Sequence, residues 1–140
     1  MAETKTYPVA GVALPIADRQ RAHDFYVAAL GLEAVGPIAS DGLPEPLMFV
    51  VNGHLRLVLI PKWGFNHVLG ESGHAVAEPR VAECLLRLGQ ESDDAVRALV
   101  DRARAAGADV VSEPAQQGWG FESMVADPDG HLWVIATHVE

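Results

Sequence analysis

"VADPDGHLWVIATH", residues 125–138, is the stretch that decides the fold. Val125 and Ala126 close an apolar run, "FESMVA", that begins at Phe121. Asp127-Pro128-Asp129-Gly130 is a tight polar turn. Proline presets φ, aspartate side chains bond to nearby backbone, and glycine accepts a positive φ. "HLWVIAT" follows as a second strand. The same pattern occurs earlier in the chain: "NGHLRLVLI" at 52–60 matches "DGHLWVIAT" at 129–137. There Asn52-Gly53 is the turn of an antiparallel hairpin between "LMFVV" and "HLRLVLI".

Working outward from these two hairpins, each is preceded by the same elements. "VAGVALPI" reads as a short buried strand, and "ADRQRAHDFYVAALGL" as a helix with Asp18 as cap and Gly31 as stop. Ala22, Phe25, Tyr26, Ala29 and Leu30 recur at helical spacing, so one face of that helix is apolar. A short strand near "LEAVG" and a turn-rich loop, "IASDGLPEP", lead to the first hairpin. In the second half "VAECLLRLG" is a strand and "SDDAVRALVDRARAAGA" a helix, capped at Ser92 or Asp93 and stopped at Gly107. Its stripe is Val96, Leu99, Val100 and Ala103. "DVVSE" is a strand and "PAQQGWG" a loop. The helix ends match as well, "AALGLEAV" against "RAAGADVV". Each half is therefore strand, helix and three strands, an internal repeat. Module one spans about 7–60 and module two about 81–138 of a single domain. Residues 61–80, "PKWGFNHVLGESGHAVAEPR", read as a linker from their glycines, prolines and broken periodicity.

Composition narrows the function. The 140 residues carry a net charge of −9, which repels phosphate backbones and argues against nucleic-acid partners. One cysteine, Cys84, allows no internal disulfide, and its place out of phase with the cleft suggests a buried structural thiol. The first residues, "MAETKTYPVAG", hold no apolar signal region, and "LRLVLIP" is too short to span a bilayer. A cytoplasmic protein without membrane contact is expected.

With "GVALPIADRQRAHDFYVAALGLE" at 11–33 and "FESMVADPDGHLWVIAT" at 121–137, the chain resembles the vicinal oxygen chelate superfamily. That group holds glyoxalase I, extradiol dioxygenases, and the fosfomycin- and bleomycin-resistance proteins. The resemblance implies an α+β fold: two βαβββ modules forming curved sheets around a cleft, with helices on the outer faces. It also implies a homodimer. In catalytic members it implies three or four His, Gln or Glu ligands to a divalent metal on inward strand positions. Those places fall here on Gly11, on Leu57 by matching "GHLRL" to "GHLWV", on about Glu83, and on Val134 after the tryptophan. Glycine, leucine and valine donate nothing, and one carboxylate does not hold a transition metal. No metal and no cofactor are therefore expected.

Strand alternation assigns the cleft a nearly apolar wall: Val9, Ala13, Leu55, Leu57, Leu59, Leu85, Leu132, Val134 and Ala136. These residues either line a dry pocket suited to a hydrophobic or aromatic ligand or simply fill the space between the sheets. Trp63 and Phe65 of "KWGFNH" and Trp119 and Phe121 of "QQGWGF" stand at the rim. They stack on a ligand, cover sheet ends or make a dimer contact. Glu83 and Arg87, the charges in phase with the cleft, meet polar ligand groups or reach solvent. The ligand-contact set expected is Leu57, Trp63, Phe65, Glu83, Arg87, Trp119, Phe121 and Val134. The function expected is metal-free binding of a hydrophobic or aromatic small molecule, with catalysis left open. The alternative is a glyoxalase-like lyase or dioxygenase with an atypical ligand set, drawing on linker histidines His67 or His74 or on a partner chain.

Overall fold

The computed structural model describes residues 6–138. The first module runs β1 (Ala10–Ile16), α1 (Arg19–Leu30), β2 (Glu33–Val35), β3 (Leu47–Asn52) and β4 (Leu55–Pro61). After α2 (Lys62–Leu69) comes the second module, β5 (Leu86–Gln90), α3 (Asp93–Ala105), β6 (Asp109–Gln117), β7 (Gly120–Ala126) and β8 (Leu132–Thr137). The repeat becomes two mixed four-stranded sheets with the same order, β1-β4-β3-β2 and β5-β8-β7-β6. The first strand of each module is parallel to the last, and the others are antiparallel.

α1 and α3 form where their caps predict. The Asp18 side chain accepts the Arg21 N–H at 2.7 Å, and Gly31 closes α1 at φ 65°, a left-handed conformation open to glycine. Ser92, rather than Asp93, caps α3, accepting the Ala95 N–H at 3.0 Å. Asp93 and Asp94 in the first turn and Arg102 and Arg104 in the last complement the helix dipole.

α1 and α3 lie against each other on one side of the sheets, and the core lies between. Ala22, Phe25, Tyr26 and Ala29 of α1 and Val96, Val100 and Ala103 of α3 join Leu57, Leu59, Val125 and Ile135 in one buried cluster. Neither α1 nor α3 covers the other face of each sheet, and on this bare face Gly11 and Ala13 are exposed.

This arrangement corrects the expected phase at Leu57. Leu57 and Leu59 are buried under α1, not turned to the bare face. The cause is hairpin length. Asn52 pairs with Leu55 across two turn residues and the ladder shifts between Val50 and Asn52, whereas Ala126 pairs with Leu132 across five. Counting from the turn glycine therefore gives opposite parities in the two modules. Val58, paired with Ala13 and Met48 as Val134 is with Arg87 and Met124, is the β4 residue that matches Val134 on the bare face. β6 runs on through Gln117, where a loop was expected from Pro114. Three further expectations differ. Residues 62–69 are helical where a plain linker was expected, β5 begins only at Leu86, and Cys84 is exposed rather than buried.

Candidate functional site

The "DPDG" turn carries the tie between modules. The Asp127 carboxylate accepts the backbone N–H groups of Asp129 and His131 at 3.0 and 2.8 Å, closing the turn on itself. Its second oxygen accepts the Tyr26 hydroxyl of α1 at 2.5 Å, and that hydroxyl accepts the Trp133 ring N–H at 3.0 Å. Burial pushes Asp127 above the usual carboxylate range and Tyr26 well above the usual phenol value. Asp129 then reaches the first module, accepting the Ala17 N–H at 2.9 Å and pairing with Arg21 at 3.1 Å. The His131 ring Nε2 donates to the Pro15 carbonyl at 2.6 Å. Gly130, at φ 89°, is doubly required, because an added Cβ would stand 3.1 Å from the Arg80 backbone nitrogen. A motif that reads as a turn is in fact a clamp between two sheets.

Beside this clamp a cavity of about 770 Å³ opens between the sheets. The edge of β1, Val12 through Ala17, forms one wall, and Leu86 and Leu132 of the second sheet form the opposite one. Phe65 and Leu69 of α2, with residues 74–84, complete the lining. The volume lies in the range of small-molecule sites, as does a mainly apolar wall with a few polar groups. Those groups are Asp129, His131, Glu83, Arg80, the linker histidine His74 and the pair Lys62–Glu78, whose charged atoms are 3.5 Å apart; His67 is not on the lining.

Of the expected contact residues, Phe65 and Glu83 meet at this cavity. Trp63 stands on α2 but is 75 % exposed, and Trp119 in the β6–β7 turn is equally exposed. Arg87 and Val134 are neighbours on the bare face of the second sheet, where Arg87 lies 3.8 Å from Glu122 and Val134 is buried beside Met124. Leu57 and Phe121 leave the contact set. Both are in the core, and Phe121 packs there under the Arg97 guanidinium, 4.7 Å from its ring centre. Leu69, Val76, Asp129 and His131 line the cavity without having been singled out as contacts. The spacing of Phe65 and Leu69, four residues apart, was the available signal for α2.

The fold implies a metal in catalytic relatives, and the residues here do not fit one. Gly11 and Val134 carry no side-chain donor atom, and the corrected β4 position is Val58, also apolar. Among the described residues no three His, Cys, Asp or Glu side chains gather as a possible metal site.

The chain belongs to the Glyoxalase/Bleomycin resistance protein/Dioxygenase superfamily, whose model matches residues 9–135. Among solved structures, a glyoxalase-related enzyme from Fulvimarina pelagi is 25 % identical, with a TM-score of 0.78 over 93 % of this chain and 87 % of that one. A family enzyme from Burkholderia phytofirmans PsJN is 17 % identical, with a TM-score of 0.73 over 94 % of this chain and 99 % of its own. TnmS3, an antibiotic binding protein from Streptomyces sp. CB03234, is 22 % identical, with a TM-score of 0.63 over 98 % of this chain and 100 % of its own. Among curated proteins, none matches the chain.

Proposed function

We propose that this chain binds a hydrophobic or aromatic small molecule, without a metal, in the cavity between its two sheets. The observation that carries the reading is the cavity itself, about 770 Å³ and walled by Leu14, Ile16, Phe65, Leu69, Leu86 and Leu132. The absence of donor side chains at Gly11, Val58 and Val134 favours binding over metal chemistry. Antibiotic binding by TnmS3, which shares the fold, is consonant with it. We propose further that the protein works as a homodimer in the cytoplasm. The bare sheet faces and the exposed Trp63, Val81, Leu85 and Trp119 support the dimer, and the location rests on the sequence reading alone.

The test is a ligand screen by thermal shift on purified, untagged protein, followed by recovery of the bound compound and elemental analysis. Stoichiometric binding, an unchanged ligand and metal near zero per chain are expected. A chemically altered ligand, or about one metal per chain, overturns the reading.

A further inference from the structure

The apolar wall hides a polar stripe, the free backbone edge of β1. The Ala10 N–H donates to the His54 carbonyl at 2.8 Å, so the backbone groups of Ala10 point toward β4. Neighbouring residues of a strand point theirs to opposite sides. Those of Gly11, Ala13, Pro15 and Ala17 therefore point away from β4, to the side where β1 has no strand neighbour. Two hydrogen bonds confirm the parity: the Pro15 carbonyl accepts from His131 and the Ala17 N–H donates to Asp129. The N–H and C=O groups of Gly11 and Ala13 have no protein partner among the described residues. Ala13 lines the cavity.

We propose, resting on the small-molecule reading above, that the ligand is an extended amide-bearing chain, a short peptide or peptide-like molecule, that adds to the β1 edge as a further strand. An unpaired strand edge is a template for such addition: main-chain bonds give affinity, and apolar walls on either side receive alternate side chains. The facing wall of Ala82, Cys84 and Leu86 and the cover of Phe65, Leu69 and Val76 supply those apolar surfaces. Length follows from the closed end. Pro15 has no N–H to offer, and His131 and Asp129 already occupy the edge from Pro15 onward. The usable edge from Gly11 to Pro15 spans about 13 Å by strand rise, room for roughly four residues.

The probes are acetyl-Val-Leu-Phe-amide, the same peptide with every backbone nitrogen methylated, and N-phenyl-1-naphthylamine, an aromatic molecule without amides. Binding is read by calorimetry and by the backbone N–H resonances of the intact chain. The parent peptide is expected to bind about tenfold or more tightly than its methylated form, since bonds left unmade are costly. The Ala13 N–H is expected to shift downfield and to be protected from exchange. Ala13→Pro removes a donor that serves no bond to β4, and edge strands tolerate proline there. It should weaken the peptide at least tenfold more than the naphthylamine, which makes no use of that N–H. Equal affinity of the two peptides, or an unmoved Ala13 N–H, overturns the proposal while naphthylamine binding leaves the small-molecule reading standing. Failure of all three probes overturns both. Protection of the Ala13 N–H that grows with protein concentration and without peptide assigns the edge to a second copy of the chain, and overturns it too.

Discussion

At the scale of single residues, the corrected parity of β4 has a direct consequence. Leu57 lies in the shared core, while Trp63 stands in solvent. Leu57→Ala should cost about 2–5 kcal/mol in urea unfolding, the range for emptying a packed core site. Trp63→Ala should stay within about 0.5 kcal/mol, as surface changes do. Similar costs for the two would restore Leu57 to the cleft. Tyr26→Phe keeps the ring and removes one hydroxyl, leaving the Asp127 oxygen and the Trp133 N–H without their partners. A loss of about 1–3 kcal/mol is expected in the same measurement, because buried groups are left unsatisfied. The residues that sequence reading places well are those whose partners are local. Asp18, Ser92 and the Asp127 oxygen that closes its own turn bond within a few positions of themselves, whereas the reach of Asp127 and Asp129 to the first module was not legible. Leu57 and Cys84 were misplaced because their surroundings depend on a hairpin length and on a connecting path that no local pattern encodes.

At the scale of elements, the third wall of the cavity is lightly held. No residue of α2 is buried, and residues 70–85 form no helix or strand and bury only Val76. Backbone amides of α2 should exchange with solvent far faster than those of α1 and α3, whose inner faces are in the core. Equal protection, read by mass spectrometry of deuterated peptides, would mean that this wall is as firmly built as the core. The loop between β2 and β3 carries a pH signature instead. Asp41 accepts a hydrogen bond from Arg19 at 2.8 Å and one from the Leu43 N–H at 3.0 Å, which hold its carboxyl down to about 2 from the ordinary 3.8. The folded form binds this proton more weakly than the unfolded one. The contribution is thus present in full above 3.8 and is lost as the pH falls through about 2. The difference in melting temperature between wild type and Asp41→Asn should shrink over that interval; a constant difference would contradict the pairing. The helix α2 escaped sequence analysis because Gly64 interrupts its eight residues and the flanking Pro61 and Gly70 read as linker composition, while Phe65 and Leu69 alone mark its inner side.

At the scale of the whole molecule, the repeat was legible because the same chain order builds the same four-stranded sheet twice. The cavity was not, since its walls are a strand edge, a connecting segment and the start of another sheet, brought together by the shared core of α1 and α3 and by the clamp at Asp127–His131. That clamp explains why one short turn reaches across both modules, and why a space remains between their edges. The central claim is that this space is a ligand site that works without a metal. Its most direct measurement is a fluorescence titration of N-phenyl-1-naphthylamine against wild type, Phe65→Ala and Leu69→Ala, in chelator and then with divalent metal added. One probe per wild-type chain, unaffected by metal and weakened about tenfold in either variant, is the predicted result, in line with roughly 1.5–3 kcal/mol for burying a large apolar side chain. Binding that ignores both variants, or that appears only with metal, would contradict the account.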